Sequence, residues 1–135
     1  MEGFILLCDF AEVLDGKLYV MGGGWTRIQR AQPTFSVSIA GKVLIPWAEV
    51  GHSHAFAVTL MDSDRKPVLH DDKRVGAFGE IGQDPPPGLD EGQPLDLPIA
   101  FRFDGLNLDA GSYSWVCTVD DEHLAEAAFT VIVPD

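Results

Sequence analysis

The architecture of this chain follows most directly from the segment Asp109-Ala110-Gly111-Ser112-Tyr113-Ser114-Trp115-Val116-Cys117-Thr118-Val119, which is followed by Ala128-Phe129-Thr130-Val131-Ile132-Val133. In the first segment, alternate residues from Tyr113 through Trp115 to Val119 share one face of a strand. Tyr113 stands where a tyrosine corner would donate a hydrogen bond to the chain just upstream. The two strands predict the last hairpin of an immunoglobulin-like β-sandwich, with Tyr113 and Trp115 in structural roles.

The same alternation runs through the rest of the chain. In residues 34–47 the apolar side chains fall on odd positions, namely Phe35, Val37, Ile39, Val43, Ile45 and Trp47. Residues 4–10, 53–61 and 97–103 repeat this rhythm, and Asp15-Gly16 is a strong signal for a two-residue hairpin turn. Residues 120–127 are interpreted as the connection within the last hairpin. Without a convincing amphipathic helix, the pattern predicts an all-β, immunoglobulin-like β-sandwich of about 8–10 strands.

Length limits the chain to one domain. It has 135 residues, and a single core serves domains of roughly 100–150 residues. Residues 83–94 have the composition of a loop or linker because they contain three consecutive prolines and two glycines. About 40 residues follow them, too few for a second sandwich. Residues 1–135 are therefore predicted to form a single domain.

Charge excludes two classes of partner. Nine Lys and Arg against 21 Asp and Glu give a formal net charge of −12. Such a surface repels nucleic acid and anionic lipid, so neither nucleic acid nor a membrane is expected as a partner. The acidity itself is compatible with simple solubility, with a basic partner or with a bound cation.

The first residues and the cysteines predict a cytoplasmic protein. The N-terminal segment lacks the basic region and the cleavage site of a signal peptide. No apolar run reaches the roughly 20 residues that span a bilayer. Cys8 and Cys117 lie in apolar strands, where a free thiol behaves as a small hydrophobe. A disulfide between them would require the first and penultimate strands to face each other, and the cytosol disfavours it.

His52-Ser53-His54 is the segment that most resembles a metal site. Two histidines at i and i+2 share one face of a strand and could bind one ion. The candidates for a third ligand are Glu49, His70, Asp71 and His123. His54 also shares its face with Phe56 and Val58, which favours a hydrogen-bonded structural histidine.

Other constellations give weaker signals. Asp62, Asp64, Asp71 and Asp72 could supply oxygens to calcium, but turns favour Asp for their own reasons. Burial of the two cysteines would raise the pKa of each thiol, and no Gly-x-Ser-x-Gly elbow is present. The sequence therefore predicts no cofactor and no enzymatic activity.

Three groups of residues resemble a family of uncharacterised bacterial β-sandwich proteins, a domain of unknown function. The first comprises residues 8–13 and 15–28, the second residues 45–49 with His54 and residues 60–62, and the third residues 97–101 and 111–115. They span nearly the whole chain. The resemblance implies no activity and assigns no residue a role.

Two segments are predicted contact surfaces. Gly22, Gly23 and Gly24 mark a corner between sheets, and Trp25 after them would be either a core residue or an exposed anchor for a protein or a sugar. The second segment is the loop of Pro85, Pro86, Pro87 and Gly88. Because a sandwich leaves open strand edges, we expect a non-enzymatic accessory or assembly module that binds a protein partner or itself. The alternative is a metal- or small-ligand-binding protein, including an enzyme, that uses His52 and His54.

Overall fold

The computed structural model describes residues 1–134 and is an all-β sandwich. Within that range the chain forms eleven strands and one short 3₁₀ helix, Trp47–Glu49. The strands are β1 (Glu2–Leu14), β2 (Lys17–Gly23), β3 (Arg27–Gln29), β4 (Phe35–Ile45), β5 (His54–Met61), β6 (Leu69–His70), β7 (Lys73–Arg74), β8 (Gly76–Ile81), β9 (Leu95–Leu106), β10 (Gly111–Val119) and β11 (Glu122–Ile132).

Nine of the strands in residues 1–134 build two sheets that pack face to face. The first sheet has the order β2-β1-β4-β9, and the second has the order β3-β11-β10-β5-β8. The neighbours are antiparallel except β3, which runs parallel to β11. The remaining pair, β6 and β7, forms a separate short hairpin.

The predicted alternation selects the core. Odd residues of β4, from Val37 to Ile45, face the second sheet, and Trp115 and Cys117 of β10 face them with no solvent exposure. The hydroxyl of Tyr113 donates a hydrogen bond of 2.9 Å to the carbonyl oxygen of Asp109. The predicted tyrosine corner and the core position of Trp115 are therefore confirmed.

Aromatic pairs join the two sheets at the centre. Phe103 of β9 stacks on Trp115 of β10 with 4.4 Å between ring centroids, and Phe101 stacks on Phe56 of β5 at 5.7 Å. The indole N–H of Trp115 has no hydrogen-bond partner within residues 1–134. An unpaired buried donor costs roughly 1–3 kcal/mol. Burying the ring system contributes about 4–6 kcal/mol by its area, so apolar burial outweighs the unpaired donor.

The acidic turns are explained by their backbone. Asp15-Gly16, Asp71-Asp72 and Asp120-Asp121 each place two consecutive residues at positive φ, between 52° and 72°. This is the type I′ geometry that matches the twist of a hairpin, and Asp tolerates it better than most residues. The expected connection over residues 120–127 is wrong, because the turn needs only Asp120 and Asp121 and β11 begins at Glu122.

Strand β1 is apolar on both faces. Ile5 and Leu7 belong to the core, whereas Phe4, Leu6 and Cys8 alternate with them and face away from the second sheet. Cys8 is fully buried on that outer side, and Cys117 lies in the core between the sheets. Both thiols are free. Cys8 and Cys117 therefore do not oppose each other across the core.

We expect Trp115→Ala to lower the free energy of unfolding by about 3–5 kcal/mol, because it leaves a large cavity opposite Phe103. Phe78→Ala removes an aromatic ring that is half exposed and should change stability by no more than about 0.5 kcal/mol. Urea denaturation followed by circular dichroism measures both. Equal losses in the two variants would contradict this view of the core.

Candidate functional site

The first hairpin extends beyond the sandwich. β1 pairs with β4 from Glu2 to Cys8, and past Cys8 its partner among residues 1–134 is β2 alone. The type I′ turn at Asp15-Gly16 closes this two-stranded ribbon, with Leu14 opposite Lys17. Residues 9–24 are termed the arm. It forms because strand-favouring residues flank a turn whose twist matches their own.

The arm presents large apolar side chains to solvent. Phe10 lies opposite Met21 in the register, and Leu14, Tyr19 and Met21 share its face. Their exposed fractions are 43% for Phe10, 52% for Leu14, 50% for Tyr19 and 66% for Met21. On the opposite face Val13 and Val20 are each 39% exposed. Both faces of the ribbon are therefore exposed to solvent.

The arm takes no part in the hydrophobic core. No residue from 9 to 24 belongs to the core or packs against it as a partly buried hydrophobe. Within residues 1–134, seven of the eleven exposed large hydrophobic residues lie in β1 and β2. Apolar side chains gathered in this way on one ribbon make it a candidate interaction site.

The outer edge of β2 has no further strand paired to it within residues 1–134. At the other edge of the first sheet, β9 carries Pro98 and Arg102, which hinder pairing with another strand. In the second sheet β3 has three residues, and β8 is short and carries Glu80. Residues 18–21 of β2 contain neither a charge nor a proline. Their backbone is therefore open to a further strand.

The glycine corner connects the arm to the body. The chain passes there from β2 in the first sheet to β3 in the second, as the sequence predicts. Gly22 has a φ of +62°, and a Cβ at this position would collide with the carboxylate of Asp9. A Cβ on Gly23 would lie 2.9 Å from Cγ1 of Val20. The amide of Gly24 donates to the carbonyl oxygen of Leu7 at 2.8 Å. These glycines thus permit close packing at the base of the arm.

The structure separates the two predicted contact segments. Trp25 is half-buried and packs against the core, and its indole N–H has no partner within the described chain. Pro85, Pro87 and Gly88 are exposed, and Pro86 is half-buried. Their loop leads into β9, whose first residue pairs with the last residue of β4. That end of the first sheet is opposite to the end from which the arm extends.

His54 is held at both ring nitrogens. Nδ1 lies 2.7 Å from Oδ2 of Asp120, and Nε2 lies 3.1 Å from the carbonyl oxygen of Glu49. The hydrogen bond to Asp120 and then the bond to Glu49 raise the pKa of the imidazole, although burial opposes them. The same pair lowers the pKa of Asp120, whose other oxygen accepts from the amide of Ala55 at 2.9 Å. His54 thus ties the start of β5 to the last hairpin turn.

The predicted metal ligands do not converge. His52 is exposed, and both nitrogens of His54 are engaged with acceptors. In the described part of the chain, no three His, Cys, Asp or Glu side chains are grouped so that they could hold an ion. One oxygen of Asp62 accepts from the amides of Asp64 and Lys66 at 2.9 and 3.0 Å. Asp62 therefore stabilises its own turn.

The cysteines have the environment of structural thiols. Burial raises the pKa of Cys117 to about 11 and is also the main cause that raises the pKa of Cys8. Both thiols therefore stay protonated at neutral pH, where a nucleophile would need to be a thiolate.

A surface depression lies over the second sheet, on the side away from the core. It has a volume of about 570 Å³, and its lining includes Ser114, Thr130, Asp62 and Arg65. The guanidinium of Arg65 donates to Glu126 at 2.8 Å, and Asp62 is occupied by the turn. Asp62 and Arg65, which line the depression, are therefore already engaged in hydrogen bonds within the chain. The arm remains the strongest candidate site.

The comparisons with known proteins place the chain in a family. The model of a protein family described as a family of unknown function, DUF6941, matches residues 3–132. The chain belongs to this family. Neither the comparison with curated proteins nor that with solved structures produced a match. The resemblance to an uncharacterised domain family is thereby confirmed for nearly the whole chain. Among residues 1–134, no helix of this DUF6941 domain has the length and apolar character needed to cross a membrane.

We expect the His54–Asp120 pair to make stability depend on pH in a defined direction. Folding raises the pKa of His54, so its contribution is complete below the ordinary value of 6.5 and is lost as pH rises through the raised pKa. Folding lowers the pKa of Asp120, so the contribution of Asp120 to stability is complete above pH 3.8, its ordinary pKa, and is lost as pH falls through the lowered pKa.

The difference in unfolding free energy between the native chain and His54→Asn should therefore shrink as pH rises above 6.5. Denaturant titrations over that range measure it. His52→Asn changes an exposed imidazole and serves as the control. A difference that stays constant with pH would show that His54 does not titrate as described.

Proposed function

We propose that this chain is a non-enzymatic contact module, a small accessory or assembly protein whose arm is the binding element. The single observation that supports the proposal most is the uncovered arm. A two-stranded ribbon is only marginally stable by itself in water. This one holds its shape outside the core and presents apolar groups on both faces.

Energetics favour a covered arm. Fully burying a Leu, Phe or Met side chain contributes about 1.5–3 kcal/mol. Phe10, Leu14, Tyr19 and Met21 are each roughly half exposed or more, so the free chain forgoes a substantial part of that gain at four positions. A partner surface that covers them would recover it. Apolar and aromatic groups of this kind are the anchors that dominate protein interfaces.

The strand order supports an immunoglobulin-like architecture. β1, β4 and β9 correspond to strands A, B and E of that plan, and β5, β10 and β11 correspond to C, F and G. In these terms the arm extends strand A and adds β2 outside it. Immunoglobulin-like domains carry out many functions through sites added to a common core. We assign the contact function to this addition.

We further propose that the module acts in the cytoplasm. Two free thiols that are fully buried suit a reducing compartment. The net charge of −12 favours solubility and limits nonspecific association outside the arm.

A photo-crosslinking amino acid in place of Tyr19 tests the proposal. We expect it to form a covalent adduct with a polypeptide in cells of the source organism, because Tyr19 is 50% exposed on the arm. The same amino acid at Leu69, which is 59% exposed on β6, should form none. Denaturing electrophoresis and mass spectrometry identify the adducts.

A double variant sharpens the result. Phe10→Thr combined with Met21→Thr should abolish the adduct at Tyr19. Because both side chains lie outside the core, each change should alter the free energy of unfolding by no more than about 0.5 kcal/mol. The proposal fails if position 19 gives no polypeptide adduct, or if positions 19 and 69 give the same ones.

A further inference from the structure

We propose that the occupant of the arm is a second copy of this chain, paired antiparallel through β2 around a two-fold axis at Val20. This inference rests on the proposed contact function and names its partner. The two first sheets would join edge to edge, in the order β9-β4-β1-β2 followed by β2-β1-β4-β9 of the second copy. Such an isologous contact closes on itself as a dimer.

The backbone of β2 is oriented for this pairing. The two-residue turn makes Leu14 and Lys17 the pair that exchanges both hydrogen bonds within the hairpin. Alternation then directs the amides and carbonyls of Lys17, Tyr19 and Met21 toward β1. Those of Leu18 and Val20 point to the open edge. A second β2 can therefore exchange hydrogen bonds with Leu18 and Val20 without breaking the hairpin.

One register uses the whole strand. Val20 is the central residue of β2, Lys17–Gly23. When Val20 faces its own copy, Tyr19 lies opposite Met21 of the other chain, and Lys17 lies opposite Gly23. Tyr19 and Met21 then pair as apolar groups, Leu18 and Lys17 lie opposite glycines, and no like charges face each other directly, which a cross-strand pair would not tolerate well.

Charge distinguishes a second copy from a basic partner. Along the arm face that contains Phe10 and Met21, the charged residues are Glu12 and Lys17, so this face is neutral. A basic partner attracted by the net charge of −12 would bind an acidic surface. The arm face has no excess of acidic residues over basic ones. In the edge pairing, Tyr19 of one copy and Met21 of the other become neighbours on this face, and a second copy brings no excess charge of either sign to it. The remaining charge opposes further association and so favours a closed dimer over open assemblies.

Cysteine crosslinking tests the register. Val20→Cys should form a disulfide-linked dimer under mild oxidation, because hydrogen-bonded antiparallel pairs bring Cα atoms to roughly 5.5 Å, which suits a disulfide. Tyr19→Cys alone should crosslink far less, and Tyr19→Cys combined with Met21→Cys should crosslink efficiently. The native chain is the control, since Cys8 and Cys117 have no exposed surface. Equal crosslinking at positions 19 and 20 would overturn the register.

Sedimentation equilibrium tests the dimer without crosslinks. We expect the native chain to dimerise at micromolar concentration, and more strongly when the Debye length falls from about 10 Å in about 0.1 M NaCl to about 3 Å in about 1 M NaCl. Val20→Pro removes an amide that points away from β1 and should weaken the dimer at least about 100-fold while the fold is kept. Phe78→Thr, which removes an apolar group that is 50% exposed elsewhere, should leave it unchanged.

The outcomes separate this inference from the contact function. A native chain that remains monomeric at all these salt concentrations, together with Val20→Cys that stays monomeric under oxidation, overturns the self-pairing. If the crosslinker at Tyr19 then captures a different polypeptide, the contact function stands and its partner is foreign. If it captures nothing, both proposals fail.

Discussion

The contact between Trp115 and Phe103 is the interaction on which the rest of the structure depends. It joins β10 of the second sheet to β9 of the first, with 4.4 Å between ring centroids. The odd residues of β4 and the second aromatic pair, Phe56 and Phe101, pack around it. The core includes no residue of the arm, so the two sheets pack densely without it.

That independence has a structural consequence for β1. Its first half serves the sandwich through Ile5 and Leu7, and its second half continues past the end of β4 into solvent. One strand thus connects a rigid body to a projecting ribbon. The glycine corner returns the chain to the second sheet, where β3 pairs with β11. A ribbon held in this way is positioned by the sheet itself, and a backbone fixed in advance loses less conformational freedom when it pairs.

The polar residues that resemble chemical sites are instead used to hold turns. His54 bridges Asp120 and the carbonyl of Glu49, and Asp62 accepts two amides of its own turn. Pairs of aspartates occupy positive φ at Asp71-Asp72 and Asp120-Asp121. An all-β chain with many tight hairpins needs such residues, since few side chains tolerate that backbone conformation. The acidic clusters and the histidine therefore have structural explanations.

The sequence by itself determined the all-β class, the tyrosine corner, the Asp15-Gly16 hairpin and the core phase of β4, because each depends on local alternation or turn chemistry. It could not decide which face of β1 is buried, since Phe4, Leu6 and Cys8 alternate with Ile5 and Leu7 and both sets are apolar. It named Gly22, Gly23, Gly24 and Trp25 and the proline loop as contact surfaces, but it did not indicate that the first hairpin extends past β4 with exposed apolar side chains. Only the tertiary structure decided these points, because burial is set by where the second sheet lies and by where β4 ends, and neither depends on near neighbours in the chain.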